Sequence, residues 1–142
     1  MTGPRSREVV LLEDSADDAE MFAEAANRVA TDVRVVRFAT ASAMYESFDP
    51  GAAPPLLVVT DARLPDASAV DVIERVIGRS GMPWTPVVVM SGLADPSLIA
   101  ECYTAGASGF LVKPAGFGEL CDAVGTLISY WSATVTLPDD RP

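Results

Sequence analysis

Four polar signals close four short apolar runs in this chain. Glu13-Asp14 follow Val9-Val10-Leu11-Leu12, and Asp61 follows Leu56-Leu57-Val58-Val59-Thr60. Ser91 follows Val87-Val88-Val89-Met90, and Lys113-Pro114 follow Phe110-Leu111-Val112. In a parallel α/β sheet the carboxyl ends of the strands share one edge, where ligands bind. Three carboxylates, a hydroxyl and an ammonium are therefore expected to meet there. Lys113 is the sole lysine; the other nine basic residues are arginines. An acidic cluster can hold Mg²⁺. An ammonium pairs with an oxyanion as a compact point charge, and a hydroxyl can donate to the same oxyanion. That set suits phosphoryl transfer to a carboxylate.

The elements that must position these groups follow from the apolar pattern. Short β-branched runs alternate with helix-like segments, the signature of βα units and a parallel sheet. Strands are expected over 9–12, 33–38, 56–60, 87–90 and 110–112. The second alternates apolar with basic residues (Val33 and Val35 against Arg34 and Arg37), as an exposed edge strand should. The first helix should run over 16–29, capped by Ser15 or Asp17, with Ala19, Phe22, Ala23, Ala26 and Val29 inward. A second is expected over 41–48. A third should span 68–79 with Val70, Ile73, Val76 and Ile77 at helical spacing, closed by Gly78, Gly81, Pro83 and Pro86. Asp95-Pro96 opens a fourth helix to Ala105, and the fifth runs over 117–132. The reading is a (βα)5 domain over 8–132, a polar N-terminus over 1–7 and a tail over 133–142, both ends frayed.

Composition bounds the function. With 142 residues, one domain is the expectation. A formal net charge of −10 argues against nucleic acid as partner, because no run of Lys/Arg could neutralise phosphates. No apolar run approaches the ~18 residues of a membrane helix, and the N-terminus lacks a signal-peptide segment. The chain has no histidine, which excludes Cys-His catalysis and any His-bearing zinc site. Cys102 and Cys121 read as reduced core residues. A cytoplasmic location follows as an expectation.

Over roughly 8–132 the chain resembles the receiver domain of two-component response regulators. The matching residues are Glu13-Asp14, Thr60-Asp61 with Pro65 four residues on, Ser91-Gly92 and Lys113-Pro114. The spacing agrees as well: Ser91 lies 30 residues and Lys113 lies 52 residues after Asp61. The resemblance implies a flavodoxin-like five-stranded parallel sheet in the order 2-1-3-4-5. It implies that Asp61 accepts a phosphoryl group from a histidine kinase or phosphotransfer protein. The domain is then a phosphoacceptor, with at most self-phosphotransfer and autodephosphorylation, and no enzyme in the ordinary sense. Asp14, Glu13 partly through water, Asp61 and the backbone carbonyl of Arg63 would hold Mg²⁺. Lys113 and the metal would neutralise charge on the phosphoryl oxygens, and Ser91 would donate to one of them. Phe110 matches the switch aromatic, and a cis bond before Pro114 would aim the ammonium.

Plainer roles stand beside these. Glu13-Asp14 could be helix-start acids meeting the dipole, Ser91 a turn residue, Lys113 a surface charge and Phe110 a core aromatic. The chain also departs from the family pattern. Glu13 replaces the commoner aspartate, Arg63 places a long cation beside the site, and Ala69 stands where a glycine is usual.

No output domain follows the fifth helix, so the expectation is a stand-alone regulator. The segment Tyr130–Pro138, the long first helix and Glu13-Asp14-Ser15 resemble single-domain regulators that partner phytochrome-type kinases. Leftover apolar bulk at Tyr130, Val135 and Leu137 points to a homodimer through helices four and five, strand five and the tail; the alternative is a tail folded back on its own domain. Two rival functions remain. One is a non-phosphorylated pseudo-receiver acting as an interaction module. The other is a Mg²⁺ phosphohydrolase, which needs an acid/base carboxylate where this chain has Arg63.

Overall fold

The computed structural model describes residues 5–78 and 84–138. Five strands form one parallel sheet: β1 (Glu8–Leu12), β2 (Arg34–Phe38), β3 (Leu57–Asp61), β4 (Val87–Ser91) and β5 (Gly109–Val112). Their order is β2-β1-β3-β4-β5. This is the flavodoxin-like arrangement expected from the sequence. The helices are α1 (Ala16–Val29), α2 (Ala41–Ser47), α3 (Ala69–Gly78), α4 (Pro96–Ala105) and α5 (Phe117–Ser129). The expected last turn of α5 is instead a π-helical turn over Tyr130–Thr134.

Residue alternation along the strands splits the core into two layers. Val9, Leu11, Leu57, Val59, Val88 and Met90 face α1 and α5, where Phe22, Val124 and Ile128 close over them. Val10, Leu12, Val58, Val87 and Val89 face the other way, onto Met44, Val72, Ile73, Val76 and Cys102. β1, β3 and β4 are apolar on both sides because helices cover both. β2 is the half-exposed edge anticipated from its basic alternation.

Each helix begins where its sequence dictates. Ser15, and not Asp17, caps α1: its hydroxyl accepts from Asp18 N at 3.2 Å. Ser68 and Asp71 cap α3 reciprocally, each side chain accepting from the other's amide at 3.2 and 3.1 Å. Asp95 caps α4 with Pro96 in its first turn, and Gly106 ends it at φ 113°. A side chain at Gly106 would be strained there, and its Cβ would also fall 2.4 Å from Ile77 Cδ1.

Three expectations are corrected. Ala25, not Ala23 or Val29, completes the buried face of α1; Val29 is 41% exposed and its edge rests on Gly125. On α3, Ile73 and Val76 are buried as expected, but Ala69 and Val72 complete that face in place of Val70, which is half-buried, and Ile77, which is 53% exposed. No peptide bond among the described residues is cis, so Lys113–Pro114 is trans. Trans is the ordinary favoured isomer for such a bond. Arg79, expected to end α3, and Gly81 and Pro83, expected in the turn after it, lie outside the described residues, as do residues 1–4 and 139–142 of the two ends.

Candidate functional site

The strand order brings the four polar signals together at the carboxyl edge. β1, β3, β4 and β5 end side by side, with Asp61 paired to Met90 and Ser91 to Val112. Glu13 continues the sheet one step past β1, donating its amide to Phe38 O at 3.1 Å. Lys113 does the same past β5, donating to Ser91 O at 2.7 Å. Backbone pairing thus fixes where each functional side chain starts.

Glu13 is 4% exposed. Its Oε1 accepts from Lys113 Nζ at 2.7 Å and its Oε2 from Ser15 N at 3.1 Å. Burial pushes its carboxyl above the usual carboxylate range, and Lys113 and Ser15 offset only part of that rise. Asp14 is exposed. Asp61 uses Oδ1 to accept from Ala62 N at 2.7 Å, which fixes the carboxylate plane and leaves Oδ2 toward the pocket. Thr60 is buried beneath it and donates to Asp61 O at 2.9 Å.

Lys113 Nζ lies 3.5 Å from Asp61 Oδ2 and 3.1 Å from Asp18 Oδ2, besides its bond to Glu13. Burial alone would lower its pKa. The hydrogen bonds to Glu13 and Asp18, with the charges of Glu13 and Asp61, reverse that and hold it well above the ordinary lysine value. The ammonium therefore stays charged across the physiological range. With a trans bond before Pro114 it reaches all three carboxylates.

Glu13, Asp14 and Asp61 each offer one carboxylate oxygen, all within 4.8 Å of one another. That spacing and hard oxygen chemistry fit a small divalent cation. Glu13, with both oxygens already accepting hydrogen bonds, is the least available of the three for direct coordination. Arg63 pairs with Ser68 in an isolated antiparallel bridge. The bonds of that bridge run from Ala69 N to Ala62 O and from Leu64 N to Ala67 O, so the pairing does not use Arg63's own carbonyl. Ala69 opens α3 inside this closed loop and is fully buried, so the loop forms without the usual glycine.

Ser91 is 5% exposed, and its Oγ accepts from Leu93 N at 3.2 Å. Phe110 is half-buried against the α2–α4 layer, and its amide donates to Tyr103 Oη at 3.1 Å. The tail divides: Trp131 packs on the α1–α5 layer and Val135 and Leu137 are half-buried, whereas Tyr130 is 48% exposed.

Sequence reasoning missed three participants. Asp18 holds Lys113 from α1. Arg37 donates from β2 to Glu13 O at 2.9 Å and Asp14 O at 3.2 Å, bracing the acidic pair from below. Asp66 caps α2 from the β3–α3 loop, accepting from Ala41 N and Ser42 N at 2.9 Å each. The one sequence signal was Arg37 at the inner end of an edge strand; nothing separates Asp18 from Asp17 without the fold.

Comparison with known proteins gives a consistent result. The family described as response regulator receiver domain matches residues 9–125. The sensory/regulatory protein RpfC of Xanthomonas campestris pv. campestris is 39% identical over 72 residues, 49% of this chain. The match spans only 10% of RpfC's length. Among solved structures, the phosphorylated cyanobacterial phytochrome response regulator RcpA superimposes with a TM-score of 0.82 at 22% identity. That superposition covers 94% of this chain and 99% of RcpA. The Mn²⁺-bound form of response regulator Rcp1 gives 0.77 at 23% identity, over 92% and 98% of the two chains. No helix among the described residues is long and apolar enough to cross a membrane.

Proposed function

The chain belongs to the response regulator receiver domain family, and from that premise we propose that Asp61 accepts a phosphoryl group from a histidine kinase. The observation that carries this is Asp61 itself. One of its oxygens is pinned by Ala62 N and the other lies open, 3.5 Å from a permanently charged ammonium. Asp61 Oδ2 attacks the phosphorus of a phosphohistidine. The P–N bond breaks, its electron pair remains on the donor's imidazole nitrogen, and a new P–O bond forms. Asp14, Asp61, the Arg63 carbonyl and, partly through water, Glu13 would hold Mg²⁺, which when bound supplies positive charge for the phosphoryl oxygens. Lys113 supplies the rest of that charge, and Ser91 turns its hydroxyl from Leu93 N toward a phosphoryl oxygen. Displacement of Ser91 draws in Phe110, which lies on β5 two residues before Val112, the partner of Ser91 across the β4–β5 pairing.

A phytochrome-type kinase in the cytoplasm is the proposed source, supported by the likeness to RcpA along nearly the whole of both chains. The output is proposed to be protein contact, including a homodimer through α4, β5, α5 and the tail. Exposed Leu93, Tyr103, Val112 and Tyr130 support it. Light scattering on the intact chain and on one ending at Ser132, with beryllofluoride, tests this; monomers in both exclude the dimer.

The rival is an idle pseudo-receiver serving only as an interaction module. Asp61→Asn separates the two. It keeps size and Ala62's hydrogen bond but loses the nucleophile's charge. Phosphotransfer from a competent kinase or from acetyl phosphate with Mg²⁺ should label the parent chain and leave the Asn variant unlabelled. An unlabelled parent, or a labelled Asn variant, overturns the assignment.

A further inference from the structure

Lys113 does not sit evenly among its carboxylates. Nζ makes hydrogen bonds of 2.7 Å to Glu13 and 3.1 Å to Asp18, while Asp61 Oδ2 stands off at 3.5 Å. An ammonium has three donors, and two of them point toward the β1–α1 side. Asp18 is unlike the other acids of the site. It belongs to the first turn of a helix and not to a strand end, its side chain is 49% exposed, and it lies outside the three-carboxylate cluster.

We infer that Asp18 is a positioning residue that restrains Lys113 on the α1 side of the pocket, in competition with the group carried on Asp61. The inference rests on phosphoryl acceptance at Asp61. To meet a phosphoryl oxygen, Nζ must move toward Asp61. Glu13 is buried and follows poorly, so its bond persists. The half-exposed Asp18 contact is longer and water can replace it, so it gives way first. Asp18 then sets how readily the ammonium is released, and with it how firmly the phosphorylated state is held.

Because Lys113 is the only lysine, protein labelled with ¹⁵N-lysine reports on this ammonium through a single side-chain signal, without metal. Asp18→Ala should speed exchange of the ammonium protons with water. Asp17→Ala, which removes the same charge from the same turn, should not; Asp18→Glu, which keeps a carboxylate, should stay near the parent. In a Mg²⁺–beryllofluoride titration Asp18→Ala should bind the phosphoryl mimic roughly two- to fivefold tighter than Asp17→Ala, the counterpart of one half-exposed ion pair. That gain should vanish in a Lys113→Ala background. Equal exchange in Asp18→Ala and Asp17→Ala overturns the restraint, whatever beryllofluoride does. So does a gain that survives without Lys113. A parent chain that takes no beryllofluoride defeats the phosphoacceptor reading instead, and the exchange rates still judge the restraint.

Discussion

α1 and α4 each follow a strand whose carboxyl end leads into the site, Glu13 one step past β1 and Ser91 closing β4, yet they are held very differently. α1 buries Ala19, Phe22, Ala25 and Ala26 and carries Asp18 to Lys113. α4, with ten residues, buries only Cys102. Leu98 and Ala105 lie half-buried beside it, and Tyr103 ties it to the edge of β5 through one hydrogen bond. The difference assigns the labour. The α1 side is a fixed wall that holds the acids and the lysine in register. The α4 side has little apolar area to lose on moving, so under the proposed function a small displacement of Ser91 and Phe110 would shift it. A receiver needs both: rigidity where charge is gathered and looseness where the change is read.

The largest effect should come from breaking the wall. Phe22→Ala removes a ring that is 4% exposed in the α1–α5 layer and should cost about 3–5 kcal/mol. Cys102→Ala, the sole buried anchor of α4, should cost about 1 kcal/mol. Urea denaturation of both variants checks the contrast, and equal losses would dissolve it.

The sequence revealed the site's chemistry better than the packing around it. Asp61, Ser91 and Lys113 were legible because a charged or hydroxyl residue at the end of a β-branched run has few places to go. The inner face of α1 was mis-phased because alanines stand on several sides of it, so the 3.6-residue period is blurred between Ala23 and Ala25. On α3, five apolar residues between Val70 and Ile77 left the same ambiguity. The isomer before Pro114 was not legible, since the two forms differ by only about 0.5–1 kcal/mol in the chain alone. Asp18's role is invisible for a different reason. Its partner lies 95 residues away, and only the strand order brings them together.

Mg²⁺ should act on the wall and spare the α4 side. At about ten times its Kd it should add roughly 1.4 kcal/mol to stability, read as an upward shift of a few degrees in Tm. Asp14→Ala should abolish the shift, and Ser91→Ala should keep it. A shift retained without Asp14 would move the cation site elsewhere.

A smaller effect is expected from Tyr103→Phe, which deletes the hydroxyl that accepts from Phe110 N at 3.1 Å. The loss should be about 0.5–1 kcal/mol and confined to α4 and β5. Amide exchange should quicken there and stay unchanged in α1. Faster exchange in α1 as well would mean that the two sides are one cooperative unit.

The smallest effect tests whether the wall extends to the loop after Asp61. Asp66 accepts hydrogen bonds from Ser42 N and Ala41 N, and these hold its carboxyl below the usual 3.8. A carboxyl depressed in the fold stabilises above its unfolded pKa, and the benefit is lost as pH falls through the lower, folded value. The latch should therefore be complete at neutral pH and fail only in acid. Asp66 is fully exposed to solvent, so global stability should barely change in Asp66→Ala. What should change is the start of α2: amides of its first turn exchange faster at neutral pH, and their further loosening below about pH 4 disappears. An acid dependence that persists without Asp66 would assign it to another carboxylate and detach α2 from the loop that follows Asp61.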